Sequence, residues 1–242
     1  MLSPTPPVQP QPASDALTAC LIALAGTPDD SSWIESELIG MAELAGDLLT
    51  PGGGASVTAY RDHGYRTVAA SSEVAREADR AQYAAEAGPC LDALDTGSPV
   101  TVPDIAADGG WPEYRAAAAA LHIRASLSVP LFAGRGTCVA ALNFYSGCHD
   151  TIAALTGAAL HAYQPHRAGP PAPPDQESPA HALFAGLTGA FAVRTVIQQA
   201  IAVTAVRARR TTDAAYLILR LRAAETGLSL PETAAAVIAE EQ

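Results

Sequence analysis

The sequence predicts an α+β fold followed by a small all-α unit. Over residues 14–163, helical patterns alternate with short strand patterns that are joined by glycine-containing turns. This order suits an antiparallel sheet with helices on its faces. Residues 164–180 then contain six prolines, which a helix cannot run through, and no strand pattern follows them.

Two hairpins supply most of the predicted sheet. Each joins two segments rich in β-branched or aromatic residues, across the turns DHG at 62–64 and AGRG at 133–136. Pro103 removes a ladder donor, so its segment is predicted as a short edge strand. The predicted strands are 55–60, 65–71, 100–105, 124–132 and 137–146, and the predicted helices are 14–25, 32–49, 73–85, 88–97, 111–121 and 150–163.

The chain after residue 180 is predicted to form three helices. The first two cover 182–208 and 213–225, and Thr212 is predicted to cap the second. In the last segment, Pro231 stands in the first turn and Glu232 lies near the positive end of the helix dipole. We therefore predict a disordered tail at 1–13, a sheet domain at 14–163, a proline-rich linker at 164–180 and a helical bundle at 181–242.

Composition predicts a cytoplasmic globular protein. Hydrophobic residues make up 49% and charged residues 16% of the 242 residues, and the chain starts without a basic, apolar secretory signal. We expect no membrane association, because no uninterrupted apolar run approaches the 18 residues of a spanning helix. The net charge of −11 argues against non-specific nucleic-acid binding by the whole molecule.

The charge is unevenly distributed. Residues 181–242 hold six arginines against five acidic residues, a net charge of +1, so the rest of the chain carries −12. The chain has no lysine, and arginine makes the better forked contacts to phosphate. The second unit is therefore the better candidate for contact with a polyanion.

The four cysteines are predicted to be reduced and mostly buried. They stand at positions 20, 90, 138 and 148, without a C-x-x-C pair and without histidines at metal-ligand spacing. We expect no metal site, no cofactor and no catalytic residues.

The stretch VIQQAIAVTAVRARR at 196–210 holds the first candidate binding residues. On a helical wheel, one face is predicted as core and consists of Val193, Ile197, Ala200 and Thr204. A neighbouring face consists of Arg194, Gln198, Ile201 and Ala205. Arg194 and Gln198 can donate to phosphate or base edges, although composition alone favours a simple solvated face.

The segment 186–238 resembles the ANTAR domain, the three-helix RNA-binding module of bacterial transcription antiterminators. The matching residues are Arg194, Ile197, Gln199, Ala200, Asp213, Ala215, Tyr216, Leu219, Arg220, Ala236 and Val237. The resemblance implies binding to paired RNA hairpins with hexanucleotide loops, often by a homodimer. This sequence has Ile201 and Ala202 where the family has lysine and glycine, so one phosphate contact of the family is missing.

These patterns together identify the candidate RNA contacts. Tyr216 and Arg220 are four residues apart, so they can present an aromatic ring and a guanidinium side by side for base stacking and phosphate contact. The candidates are Arg194, Gln198, Gln199, Arg207, Arg209, Arg210, Tyr216 and Arg220. Because Ile201 lies on the wheel face of Arg194 and Gln198, Ile201→Lys is expected to tighten RNA binding and leave folding nearly unchanged.

The first unit resembles the GAF domain that precedes ANTAR in many actinobacterial regulators. The residues that carry this resemblance are Gly88–Asp92, Val102–Asp104, Trp111–Pro112, Ser126–Leu131 and Ala140–Asn143. It implies a six-stranded antiparallel sheet with flanking helices and a small-molecule pocket on one face. It does not identify the ligand.

Three functions remain open at this point. The first is a GAF sensor joined to an ANTAR domain that binds stem-loops of nascent transcripts and prevents a terminator from forming. The second is a DNA-binding regulator with a helix-turn-helix, against which the acidic last segment argues, since a recognition helix should be basic. The third is a GAF-type methionine sulfoxide reductase using Cys90, Cys138 and Cys148, which would need a thiol with a lowered pKa.

Overall fold

The computed structural model describes residues 13–61, 64–164, 174–176 and 178–240, with the side chains of residues 13 and 14 left out. The predicted tail at 1–13 therefore lies outside the described residues except for Ala13, which begins the first helix. Most of the predicted linker at 164–180 also lies outside them.

The elements follow the predicted order closely. The helices are α1 (Ala13–Gly26), α2 (Ile34–Gly46), α3 (Glu73–Ala85), α4 (Pro89–Thr96), α5 (Pro112–Ala120), α6 (His149–Tyr163), α7 (Pro179–Ala208), α8 (Thr212–Thr226) and α9 (Leu230–Ala239). The strands are β1 (Gly54–Arg61), β2 (Gly64–Ala70), β3 (Val100–Val102), β4 (Ala125–Ala133) and β5 (Thr137–Ser146).

The strands form an antiparallel sheet in the order β2-β1-β5-β4-β3. The α+β prediction is confirmed. The expectation of six strands is corrected to five within the described residues, because the segments between these strands form helices and loops and leave no further strand to pair. β3 is short and lies at the edge, as Pro103 after it predicts.

The two faces of the sheet differ in character. One face carries apolar residues such as Val57, Leu127, Leu142 and Phe144, and packs against α1, α2 and α6. The first half of α7 packs on α1 and α6 and adds to the same core. The other face carries buried polar residues and is covered by α3, α4 and α5. Alternation along each strand thus builds an apolar core on one side and a polar interior on the other.

Helix α7 belongs to two cores. Near its start, Leu183 and Leu187 are buried in the sheet-domain core, whereas Ile197 and Ala200 are buried in a separate core with α8 and α9. The predicted division before residue 181 therefore needs correction, because the first half of α7 completes the sheet domain. We use "bundle" for the second half of α7 with α8 and α9.

Side-chain caps mark the starts of α8 and α9. The side chain of Thr211 accepts a hydrogen bond from the backbone of Ala214 at the start of α8. The sequence predicted Thr212 in this role, one residue later. Ser229 and Glu232 form a capping box at the start of α9, with Pro231 in its first turn.

Ile201 corrects the helical-wheel prediction. It is 6% exposed and packs in the bundle core with Tyr216, Leu219 and Val237. α7 packs against both α8 and α9, so its apolar stripe is wider than the single predicted face. Position 201 is therefore a core position, which contradicts the predicted surface face, and a lysine there is expected to disturb folding.

Among the described residues, α7 alone is long and apolar enough to cross a membrane by length and composition. That is weak evidence, because the core helix of a globular protein passes the same test. α7 packs against α1, α6, α8 and α9, which buries part of its apolar surface.

Candidate functional site

Four of the predicted RNA contacts lie on one side of the bundle. We call Arg194, Gln198, Tyr216 and Arg220 the bundle face. The Arg220 guanidinium carbon lies 5.7 Å from the centre of the Tyr216 ring, so the structure places the aromatic ring and the cation side by side as their spacing indicated. The bundle face contacts the sheet domain, and Gln198 at its rim is also exposed to solvent.

The sheet domain meets the bundle face with the β4–β5 turn. The Arg194 guanidinium carbon lies 4.4 Å from the centre of the Phe132 ring. The side-chain amide of Gln198 donates to the backbone carbonyl of Arg135 at 3.4 Å. Arg135 also lies over Tyr216, with its guanidinium carbon 5.7 Å from the ring centre.

Two aspartates in the α1–α2 loop complete this contact. We call Asp29 and Asp30 the acidic loop. Arg220 donates to the Asp30 carboxylate at 2.7 Å, and the backbone N–H of Asp29 donates to the Tyr216 hydroxyl at 3.4 Å. Arg135 of the sheet domain donates to Asp213 of the bundle at 2.6 Å. Each domain thus supplies the arginine of one interdomain ion pair and the aspartate of the other.

Sequence reasoning did not identify the acidic loop or Arg135, and it named Asp213 only as a residue that matches the family and not as a contact. The aspartate pair and the AGRG turn are visible in the sequence, but nothing local links them to the bundle, since Asp30 and Arg220 are 190 positions apart. Only the tertiary fold brings them together.

Asp29 holds Arg135 in place. Its carboxylate accepts hydrogen bonds from Arg135 Nε at 3.0 Å and from the Thr137 hydroxyl at 2.6 Å. Burial raises the pKa of Asp29, but hydrogen bonds from Thr137 and Tyr216 and the charge of Arg135 outweigh this and hold the pKa below its usual value. Burial and the neighbouring Asp29 raise the pKa of Tyr216 to about 12. The contact therefore contains a carboxylate and a neutral phenol at neutral pH.

The other four candidates lie away from the bundle face. Gln199 is exposed on α7. Arg207 forms an ion pair with Glu240 at 3.4 Å. Arg209 and Arg210 are exposed where α7 ends, and Arg209 adopts the left-handed conformation that closes the helix. The structure therefore separates the eight candidates into a docked group and an outer group.

A second polar site lies inside the sheet domain. Its centre is Asp79 on α3, whose carboxylate accepts hydrogen bonds from Tyr145 at 2.6 Å, Thr67 at 2.7 Å and Ser56 at 2.8 Å. We call this group, extended by further hydrogen bonds, the polar cluster. It consists of Ser56, Thr58, Thr67, Asp79, Gln82, Tyr83, Asn143 and Tyr145.

Burial dominates the electrostatics of the polar cluster. It raises the pKa of Asp79 despite hydrogen bonds from Tyr145, Thr67 and Ser56. Within the described residues, Asn143 Oδ1 and Ser128 Oγ are buried without a hydrogen-bond partner. The resemblance implied a ligand pocket on one face of the sheet; on its polar face, side chains of the chain itself occupy the space beside α3.

The architecture and the sequence agree on a family. The GAF domain family matches residues 38–164, more than half of the chain. The chain belongs to the GAF domain family. The sheet domain is therefore a GAF domain, a class of sensor domain.

A domain assigned to a two-component sensor histidine kinase protein from Sinorhizobium meliloti 1021 has 14% sequence identity and a TM-score of 0.34. The match covers 59% of this chain and 78% of that one. No curated protein matches the chain.

Cys90 of the GAF domain is poorly suited to thiolate chemistry. It is fully buried, and burial, followed by the nearby Asp79 charge, raises its pKa to about 12. The pKa of Cys148 is instead lowered, chiefly by a hydrogen bond with Thr151. The sequence alternative of a Cys90-based reductase needs the opposite environment at Cys90.

These environments predict an order of thiol reactivity. With iodoacetamide at pH 8, Cys148 is expected to alkylate first and Cys90 only after unfolding, because the thiolate is the nucleophile. Mass spectrometry of peptides over a time course measures this. Cys90 labelling as fast as that of Cys148 in folded protein would contradict the burial argument.

No group of three or more His, Cys, Asp or Glu side chains in the described part of the chain could hold a metal ion.

Proposed function

We propose that this GAF-family chain is a signal-responsive RNA-binding regulator of transcription antitermination. The GAF domain receives the signal, and the bundle binds stem-loops of a nascent transcript. The sequence resemblance of residues 186–238 to ANTAR motivates the proposal. The chemistry is binding, with no covalent step.

The observation that carries the proposal is the distribution of the matching residues in the bundle. The apolar matches Ile197, Ala200, Ala215, Leu219 and Val237 are buried in its core. Among the polar matches, Arg220 lies beside the Tyr216 ring, and Arg194 lies half-buried over the ring of Phe132. A core of this kind supports a bundle that presents cations and an aromatic ring together, which suits the splayed bases and phosphates of an RNA loop.

The composition of α9, the last helix of the bundle, favours RNA over duplex DNA as the ligand. α9 contains no arginine, carries Glu232 in its capping box, and buries Thr233, Ala234 and Val237 in or against the bundle. A helix that enters the major groove needs cationic side chains on an open face. Competition between RNA hairpins and duplex DNA at equal salt concentration distinguishes the two targets.

The outer arginines provide a test of RNA binding. Arg209→Gln with Arg210→Gln is expected to weaken binding of an RNA with two hexanucleotide-loop hairpins by about tenfold at low salt. If each arginine neutralises one phosphate, the slope of log affinity against log salt falls by roughly 1.4. Fluorescence anisotropy with labelled RNA across a salt series measures both quantities.

The matched control is Arg76→Gln with Arg80→Gln on α3. It removes the same charge from the GAF domain, where both arginines pair with Glu73 on the surface. Equal losses in the two double variants would show a general charge effect and contradict binding at the bundle. No binding of any hairpin at low salt, either by the wild-type chain or by a variant that lacks the ion pairs between the domains, would overturn the proposed function.

A further inference from the structure

The bundle face is already occupied by the GAF domain. Arg220 binds the Asp30 carboxylate at 2.7 Å, and the Tyr216 hydroxyl accepts from the Asp29 backbone at 3.4 Å. Arg135 and Arg220 lie on the Tyr216 ring, each with its guanidinium carbon 5.7 Å from the ring centre. The groups suited to stack on a base or bind a phosphate therefore contact protein instead.

We propose that the acidic loop occupies a polyanion-binding position of the bundle and thereby inhibits RNA binding in the same chain. A carboxylate on a guanidinium offers the same paired-acceptor chemistry as a phosphate, so Asp30 and an RNA phosphate compete for Arg220. The inference rests on the proposed RNA-binding function and adds its regulation. RNA and the GAF domain bind the bundle face alternately.

The β4–β5 turn is shaped for this contact. Gly136 has a φ of +101°, and a Cβ atom at this position would lie 2.7 Å from Arg194 Nε and 3.0 Å from Gln198 Nε2. A side chain there would therefore push against two residues of the bundle face. Gly134 also has a positive φ, and a Cβ atom there would collide with the Tyr216 hydroxyl. The turn approaches the bundle this closely because both positions lack side chains.

The strength of the contact suits a reversible switch. Arg220 and Asp30 are 31% and 62% exposed, and Arg135 and Asp213 are 46% and 80% exposed. Exposed ion pairs each change an equilibrium by no more than about fivefold. The contact is therefore held by the combined effect of two ion pairs, a cation–aromatic stack and the β4–β5 turn. An RNA with many phosphates can compete with it and displace it.

The test compares two double variants of the full chain. Arg135→Ala with Asp30→Asn removes both ion pairs between the domains and leaves the net charge unchanged. Arg66→Ala with Glu35→Gln is the control, because it removes an exposed 2.7 Å ion pair within the GAF domain with the same net charge. Neither variant alters the bundle face.

Two measurements are made on each protein. The first is the affinity for an RNA with two hexanucleotide-loop hairpins. The second is backbone hydrogen exchange in residues 27–30 without RNA, which reports the contact directly through the Asp29 amide. The interdomain variant is expected to exchange faster in this segment and to bind the RNA about tenfold more tightly than the wild type. The control is expected to match the wild type in both.

Competition also predicts a reciprocal effect. RNA added to the wild-type chain is expected to speed hydrogen exchange in residues 27–30, because RNA binding and the contact exclude each other. Protection that persists in RNA-saturated protein would overturn the inference.

The remaining outcomes separate the two proposals. Faster exchange with unchanged RNA affinity in the interdomain variant would overturn the inhibition and leave the RNA-binding function standing. Faster exchange with no RNA binding by either protein would overturn the RNA-binding function and the inhibition that rests on it. Unchanged exchange in the interdomain variant would show that these residues do not hold the contact, and would also overturn the inference.

Discussion

Ile201→Lys is expected to lower the unfolding free energy of the bundle by about 2 to 4 kcal/mol. Ile201 is 6% exposed and packs against the apolar core shared by α7, α8 and α9. The substitution loses the apolar burial of a branched side chain and brings an ammonium group to the edge of a small core. Ile201 and Asp213 line the same groove, so the lysine ammonium can reach the Asp213 carboxylate. The apolar packing of the isoleucine is still lost.

Urea unfolding followed by circular dichroism at 222 nm measures the effect, with Ala202→Lys as the control. Ala202 is the next residue on α7 and is exposed, so it tests the added charge and the same helix without the burial. We expect the control to stay within about 0.5 kcal/mol of the wild type. Equal midpoints for the two variants would show that position 201 tolerates a polar side chain.

The same variants separate core packing from RNA binding. Ile201→Lys is expected to lose RNA affinity through loss of the folded bundle, although it restores the residue type that the ANTAR family has at this position. Ala202→Lys adds the same charge to a folded bundle and is expected to strengthen electrostatic attraction to RNA. The effect of a lysine on RNA affinity therefore depends on whether its position is buried or exposed in the bundle. The family pattern alone does not decide it.

The sequence predicted most of the fold because the signals are local. The β4–β5 hairpin was visible from its β-branched segments and the AGRG turn, and α9 from the first-turn signals Pro231 and Glu232. Such signals depend on residues a few positions apart. Element existence and order were predictable for this reason, and the differences lie mainly at boundaries, as with Thr211 in place of Thr212 as the cap of α8.

What the sequence could not predict depends on contacts between distant segments. A wheel treats α7 as a helix with one buried face, but both α8 and α9 pack against it and Ile201 is buried as well. The surroundings of the bundle face were hidden for the same reason, because Asp30 comes from a loop 190 positions before Arg220. The sequence predicted that Arg194 and Gln198 face RNA or solvent. In the structure both contact the GAF domain, an arrangement that neither alternative included.

Asp79→Ala is expected to lower the unfolding free energy of the GAF domain by about 2 to 4 kcal/mol. The substitution removes the shared acceptor of Ser56, Thr67 and Tyr145 in a fully buried site. A buried donor without a partner costs roughly 1 to 3 kcal/mol. The total stays below three full penalties because Thr67 can still bond to Tyr83, which lies 3.0 Å away. Urea unfolding of the full chain measures the loss, with the exposed α4 aspartate variant Asp95→Ala as the control.

The pH dependence of the unfolding free energy, compared between the wild type and the isosteric Asp79→Asn variant, tests the ionisation of Asp79. Burial raises the pKa of Asp79 in the folded chain above the value of about 3.9 expected in the unfolded chain. Between these two values the folded state binds the extra proton, so this group stabilises the fold below about pH 4 and loses that contribution as pH rises through the folded pKa. The unfolding free energy of the wild type, relative to Asp79→Asn, is therefore expected to fall as pH rises through this range. A relative stability that instead increases with pH would mean that the three hydroxyl donors stabilise the ionised carboxylate more than burial penalises it.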